Sequence, residues 1–507
     1  MVLKIGLLIV FFAIMVAVGL YCRRHSTDVN GFVLGGRSVG PWLTAFAYGT
    51  SYFSAVIFVG YAGQFGHKFG IASTWIGIGN AVIGSLLAWT ILGRRTRLMT
   101  QHLNSATMPE FFGKRYSSTA LKIAASIIVF IFLIPYTASL YNGLSRLFSM
   151  AFPGIDYSVC VIVMAVLTGI YVIAGGYMAT AINDFIQGLI MLVGIVAVIA
   201  AVLGSKGGFI ASLNGLAAVP EGPNGIFNSF FGPDPLGLMF VVILTSLGTW
   251  GLPQMVQKFY AIKSEKAINK GTIISTLFAL VVAGGCYFLG GFGRLFVADP
   301  ATVGGYDGIV PTMLSGLPDI LIAIVIILVL SASMSTLSSL VLASSSTLTI
   351  DLLKGHVVKN MTEKKQVLIM RALIVVFIAI SAIIAINKDK LSYIAQMMGI
   401  SWGALAGAFL APFLYGLYWK RTNKIAVWAS FIFGAGIMIV DMLAPAVLPE
   451  IMRSPINCGA IAMLAGLVIV PVVSLITGKP KNKDEVDGMF ECYNKEVVVS
   501  AKESLGD

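Results

Sequence analysis

Runs of about 20 apolar residues, separated by short polar segments, recur along the whole chain. A run of that length crosses about 30 Å of hydrocarbon as an α-helix. The pattern therefore predicts spanning helices and not spanning strands, which alternate apolar and polar positions. About thirteen runs are present. They are Leu3–Cys22, Pro41–Gly63, Ile71–Leu92, Ala120–Phe152, Tyr157–Ala174, Ala181–Gly204, Leu236–Phe259, Thr272–Val297, Ile320–Thr347, Val367–Ile386, Tyr393–Trp419, Ile425–Ala444 and Asn457–Thr477. The expected fold is all-α, a polytopic transmembrane bundle. The first run reads as a span and not a cleaved leader, because Arg23 and Arg24 follow it where a small-residue cleavage site would stand.

Composition strengthens this reading. Of the 507 residues, 57% are hydrophobic and 11% charged, against about 25% charged in soluble domains. The polar surface is too small to coat a soluble globule of this size. The 55 glycines suit close helix packing and interrupted helices in a bilayer. The net charge of +12 reflects topology. Clusters beginning at Arg23, Arg94, Lys258, Lys354, Lys420 and Lys479 follow the first, third, seventh, ninth, eleventh and last runs. All fall on one side if the spans alternate. The positive-inside rule makes that side the cytoplasm. This predicts a multi-pass plasma-membrane protein with its N-terminus outside and its C-terminus inside.

Several function classes are excluded. No basic helix with interleaved aromatics points to nucleic acid. The five Cys show no CxxC spacing and the four His are scattered, so neither disulfides nor zinc are indicated. No GxxxxGK[ST], HExxH or GxSxG string occurs, which argues against ATP-driven pumping and against an enzyme. A channel needs a continuous polar pore, and only the ninth run is strongly hydroxylated. No obligate protein partner or organic cofactor is indicated. The expected partners are the lipid bilayer and a small organic solute.

Two runs carry helix-breaking residues at matching places. The second reads FAYGTSYFSAVIFVGYAG, with Gly49, Thr50, Ser51 and Ser54 at its middle; the seventh reads LTSLGTWGLPQMVQ, with Gly248, Gly251 and Pro253. They lie five spans apart. This suits two five-span repeats, at 41–235 with its following outside loop and at 236–419. One helix and loop (1–40) precede them, and two helices (420–478) and a polar tail (479–507), expected to be mobile, follow. Broken helices at matching positions place ion and substrate sites in transporters built from inverted repeats. Gly that merely packs helices and a Pro that merely kinks one remain open as the alternative.

The ninth run, VLSASMSTLSSLVLASSST, crowds Ser331, Ser333, Ser335, Thr336, Ser338 and Ser339 together. Ser335 and Thr336 could turn two hydroxyl oxygens to one hard cation. Carbonyls of a broken neighbour would complete a low-charge, monovalent shell. Asp184 is the costliest residue in the apolar runs. It reads either as an anion in a helix's first turns or as a carboxylate on a cation path. Asp441 reads as interfacial.

At these motifs the chain resembles the sodium:solute symporter family. The strings that carry the resemblance are FVLGGRSVGPW, YTASLYNGLSRLF, AGGYMATAINDFIQGLIM, GLPQMVQKFYAIKSEKAINKG and SASMSTLSSLVLASSSTLTIDLL. The resemblance implies a leucine-transporter-type five-plus-five inverted repeat and Na⁺-coupled uptake by alternating access. It implies a Na⁺ site made of backbone oxygens at Thr50 and Phe53, the carbonyl of Ala332 and the hydroxyls of Ser335 and Thr336, with Asp184 on the cation path. Position in the core helices nominates Ser51, Tyr52, Ser54, Tyr136, Tyr141, Thr249, Trp250, Ser401 and Trp402 as substrate contacts. Sodium/proline members carry an Asp where this chain has Tyr52, and an aromatic pair where it has Thr245 and Thr249. The NDFIQGLIMLVG and GLPQ strings look closer to pantothenate-type members. The expected solute is an amino acid or carboxylate such as proline or pantothenate. A proton-coupled symporter of the same fold is the nearest alternative, and a facilitator or channel a more distant one.

Overall fold

The computed structural model describes residues 2–23, 28–354, 358, 361–387, 394–480 and 482–494, with all their side chains except those of residues 2, 3, 52 and 171. Among these residues there is no β-strand, only two isolated bridges. The apolar runs are helical for a simple reason: lipid offers no partners to backbone N–H and C=O groups, so each run must satisfy its own.

The helices that build the bundle are α1 (Val2–Cys22), α2 (Pro41–Tyr52), the composite run α3 (Val56–His102) and α4 (Thr119–Ala151). Next come α5 (Tyr157–Gly204), α6 (Pro235–Gly251), α7 (Pro253–Ala261) and α8 (Glu265–Gly290). The last five are α9 (Asp319–Thr347), α10 (Glu363–Ile386), α11 (Ile394–Tyr418), α12 (Lys424–Leu443) and α13 (Pro455–Ile476). Their starts follow local rules. Pro occupies the first turn of α2, α6, α7 and α13, where its missing N–H costs nothing. Ser118, Asp156, Asp234, Ser264 and Asn423 accept the first free N–H groups of α4, α5, α6, α8 and α12.

Among the described residues, ten helices can cross a membrane by length and composition, or eleven if the bent pair α6–α7 is one span. The expectation of thirteen is not reached by that count, for local reasons. Pro41–Tyr52 is too short alone, and the rest of the second run joins the third within Val56–His102, interrupted at Gly70 (φ 64, ψ −143). The fifth and sixth runs form the single long α5, which turns at Gly176 (φ 58, ψ −148). Only glycine suits that turn: a Cβ there would lie 2.8 Å from the Phe32 carbonyl oxygen.

α9 and α11 sit at the centre. Every side chain from Leu328 to Thr347 of α9 is buried, and so is nearly all of α11 from Ser401 to Phe413. Around α9 pack α4, α5 and α2; around α11 pack α6, α12 and α13. The outer faces of α1, α8, α10 and α12 present exposed Ile9, Ile273, Leu368 and Ile432 to the lipid.

One expectation is corrected here. The tail does not begin as a mobile segment. Lys483–Phe490 is a helix held by a 2.7 Å Lys420–Asp487 ion pair. The Arg95 guanidinium lies over both the Tyr418 and the Tyr493 ring, at 4.1 and 4.5 Å from their centroids. The aromatic Phe490 and Tyr493 give this polar stretch an anchor that average hydropathy does not register. The rest of the predicted tail, 495–507, lies outside the described residues. Asp441, expected at the interface, is buried beside Cys458 of α13.

Candidate functional site

The site forms where α2 stops. Phe53 is extended (φ −94, ψ 134) and its N–H is the last to bond into the helix, to the Gly49 carbonyl. The carbonyls of Thr50, Ser51 and Phe53 then face α9 instead of continuing a ladder. The side chain of Tyr52 lies outside the described residues.

α9 answers with hydroxyls. Thr336 Oγ1 lies 3.1 Å from the Phe53 carbonyl oxygen, 3.4 Å from those of Thr50 and Ser51, and 3.1 Å from that of Ala332. Ser335 Oγ donates to Thr50 Oγ1 at 2.7 Å, and Thr50 in turn donates to the Phe46 carbonyl at 2.7 Å. All five expected Na⁺-site residues, Thr50, Phe53, Ala332, Ser335 and Thr336, are thus gathered at one buried junction. The cluster has more acceptors than donors. Thr336 carries one proton, yet four carbonyl oxygens crowd its hydroxyl. Such an oxygen-rich, proton-poor nest suits a hard cation.

Close packing brings the helices to this distance. Gly188 of α5 faces Phe46 and Thr50 of α2, and a Cβ on it would come within 2.3 Å of the Phe46 ring. Asp184 stands one turn earlier on the same face of α5. Its carboxylate is buried, 4.0 Å from Lys258 Nζ, with neither oxygen in a hydrogen bond.

Lys258 is the residue at this junction that reading the sequence missed. It counts there as a topology-setting loop lysine. In the structure it lies on α7 with its side chain buried. Its Nζ is 4.0 Å from Asp184 Oδ2, donates to Ser339 Oγ at 3.0 Å and lies over the Tyr177 ring, 5.1 Å from its centroid. Ser339 reaches Ser51 at 2.8 Å. Hydropathy cannot see this, because the partner is a carboxylate 74 positions away in sequence. The one available signal is an apolar run that continues on both sides of the lysine, MVQKFYAI.

The substrate-contact candidates divide into groups. Tyr136 of α4 and Trp402 of α11 meet edge to face, ring centroids 5.9 Å apart, and the Tyr136 hydroxyl is buried without a hydrogen-bond partner. Ser401 and Tyr141 are buried on the same two helices. Ser51 is spent on Ser339. Thr249 and Trp250 of α6 instead bond to α3, through the carbonyls of Gly84 at 3.1 Å and Ile83 at 2.9 Å. α6 ends at Gly251 and α7 leaves it at 46°, so a second broken element lies opposite the break in α2.

The sequence profile of the sodium:solute symporter family matches residues 32–434. The chain belongs to the sodium:solute symporter family. Among curated proteins, it is 28% identical over 481 residues to the osmoregulated proline transporter OpuE of Bacillus subtilis, covering 93% of this chain and 94% of that one. It is 31% identical over 450 residues to sodium/proline symporters of Staphylococcus aureus, covering 85% and 84%. Among solved structures, a substrate-bound, outward-open Na⁺-coupled sialic acid symporter superposes with a TM-score of 0.75 at 18% identity, over 94% of this chain and 98% of that one. Mhp1, a nucleobase-cation-symport-1 family transporter, superposes with a TM-score of 0.51 at 13% identity, over 92% and 99%. These neighbours show the fold, which is of the leucine-transporter type. As a sodium:solute symporter the protein is a multi-span membrane transporter and not an enzyme, and Na⁺ is its coupling ion.

Proposed function

We propose that this symporter uses Na⁺ entry to accumulate a small amino acid or carboxylate, with proline as the first candidate, by alternating access. The observation that supports this best is the oxygen cluster shared by α2 and α9. Na⁺ held by the carbonyl oxygens of Thr50, Phe53 and Ala332 and the hydroxyls of Ser335 and Thr336 would join the broken helix to the centre of the bundle. Joining them orders the segment after the break, which packs on the helices that carry Tyr136 and Trp402, and so creates the solute site. The ion would then leave past Asp184, toward the side where Lys and Arg gather. One charge falling through 100 mV releases about 2.3 kcal/mol, roughly a 45-fold concentration ratio for the solute.

Two features bear on the solute. The proline transporters found among its relatives favour proline, while Tyr52, Thr245 and Thr249 favour a solute that fits a different lining. The buried aromatic pair suits a compact, partly apolar molecule.

A thermal-shift screen of the purified protein tests the proposal, run in NaCl and in choline chloride against proline, other amino acids, pantothenate, other carboxylates and sugars. A ligand that binds only the folded state raises stability by mass action. The reading expects one chemical class to stabilise the protein only when Na⁺ is present. Stabilisation that ignores Na⁺ would favour proton coupling or facilitated diffusion.

A further inference from the structure

Asp184 places a carboxylate deep in the bundle, where an unpaired charge is too costly to keep. To stay ionised there it requires a cation beside it. In the structure that cation is part of the chain. Lys258 Nζ has the Asp184 carboxylate at 4.0 Å, the Ser339 hydroxyl at 3.0 Å and the face of Tyr177 around it. Ser339 in turn bonds Ser51, whose carbonyl belongs to the oxygen cluster on α2 and α9. Two sets of oxygens thus lie side by side. One is made only of neutral oxygens of Thr50, Phe53, Ala332, Ser335 and Thr336. The other is a carboxylate and a hydroxyl, with a lysine ammonium against them.

We propose that Lys258 is a tethered cation that occupies the anionic position formed by Asp184 and Ser339 while Na⁺ is bound at the neutral cluster, and so limits the symporter to one bound Na⁺. The inference rests on Na⁺ binding at the neutral cluster. A lysine suits this role because its charge is a compact point on a flexible stem. Two unit charges about 4 Å apart at an effective dielectric near 20 repel enough to cost about three decades in affinity. A second Na⁺ is therefore excluded while the ammonium stays in place. Removing the ammonium and leaving the carboxylate turns the position into a vacant site of one negative charge with a hydroxyl oxygen, which is a Na⁺ site. The tether also lies on α7, beyond the break in the seventh span, so the fixed charge travels with that helix when the bundle rearranges.

Counting bound ions tests this without knowledge of the solute. ²²Na⁺ binding to the purified full-length protein is measured at constant ionic strength in choline chloride. Wild type is expected to bind one Na⁺ per chain, Lys258→Met two, and Lys258→Met/Asp184→Asn one. A wild-type count of two overturns the inference and leaves Na⁺ coupling intact. A wild-type count of zero defeats Na⁺ coupling itself, and the inference with it. A monodisperse Lys258→Met protein that still binds one ion also overturns the inference. If that variant does not fold, Lys258→Gln takes its place and the wild-type count still decides.

Discussion

Ser335 Oγ and Thr50 Oγ1 lie 2.7 Å apart and join the centre of α9 to the last turn of α2. This contact spans 285 positions of sequence and fixes the distance between the hydroxyl-rich helix and the freed carbonyls. It belongs to the cluster on which Na⁺ coupling depends in this account. Ser335→Ala and Thr336→Ala should each raise the Na⁺ concentration needed for half-maximal uptake by about tenfold, the loss of roughly 1.4 kcal/mol of ion binding. Ser345→Ala is the control. That hydroxyl is equally buried on the same segment but bonds its own helix at the Leu342 carbonyl, so Na⁺ dependence should not change.

Asp184 and Lys258 should behave as one unit in stability. Removing one partner of a buried ion pair strands the other charge, at a cost of about 3–5 kcal/mol. Asp184→Asn should therefore lower the melting temperature of the purified protein strongly. Adding Lys258→Met to it should recover most of the loss, because a neutral pair of similar volume strands nothing. Equal losses that simply add would show the two side chains to be uncoupled.

Tyr136 and Trp402 should act on the solute and not on the ion. Tyr136→Phe removes a buried hydroxyl that has no hydrogen-bond partner in the protein and keeps the ring contact with Trp402. Trp402→Phe keeps an aromatic ring in a smaller form. Each should raise the KM for solute several-fold while leaving the Na⁺ concentration for half-maximal uptake within about twofold. A matching shift in Na⁺ dependence would place the pair at the ion site instead.

The docked start of the tail depends on exposed charges and rings. Arg95→Ala removes the guanidinium from between Tyr418 and Tyr493 and should speed tryptic cleavage in 479–494 several-fold. Lys420 holds the Asp487 carboxyl below its ordinary value through a hydrogen bond. A lowered carboxylate contributes docking above its free pKa of about 3.9, and that contribution is lost as pH falls through the lowered value. Cleavage by an acid-active protease should therefore quicken below about pH 4. High salt should quicken it slightly at neutral pH, since exposed pairs are screened.

Much of this arrangement is legible in the sequence, and the reasons are local. The Ser/Thr crowding of α9 cannot be absorbed by lipid, and the Gly-Thr-Ser string of α2 weakens a helix at one point. Both features announce a polar seam inside a bilayer. Asp184 announces itself by its cost. Lys258 does not, because it closes an apolar run and so mimics a loop lysine. Nothing in hydropathy tells a side chain leaving the membrane from one turned inward onto a distant carboxylate. Thr249 and Trp250 show a related limit. Their helix is recognisable as a broken one, but the direction of each side chain is set by contacts with Ile83 and Gly84 of α3. The number of spans is also hidden, since Gly176 turns α5 without adding a polar residue. The tail is misread because two aromatic anchors outweigh its polar average.

Uptake into proteoliposomes, comparing wild type with Ser335→Ala under an inward Na⁺ gradient and with choline in its place, addresses the central claim most directly. Once the screen has identified a solute, the account predicts that wild type accumulates it above the outside concentration with Na⁺ and fails to do so with choline. It predicts that Ser335→Ala reaches the same accumulation only at about tenfold higher Na⁺. Equal accumulation in choline, or an unchanged Na⁺ requirement in Ser335→Ala, would contradict Na⁺ coupling through the junction of α2 and α9.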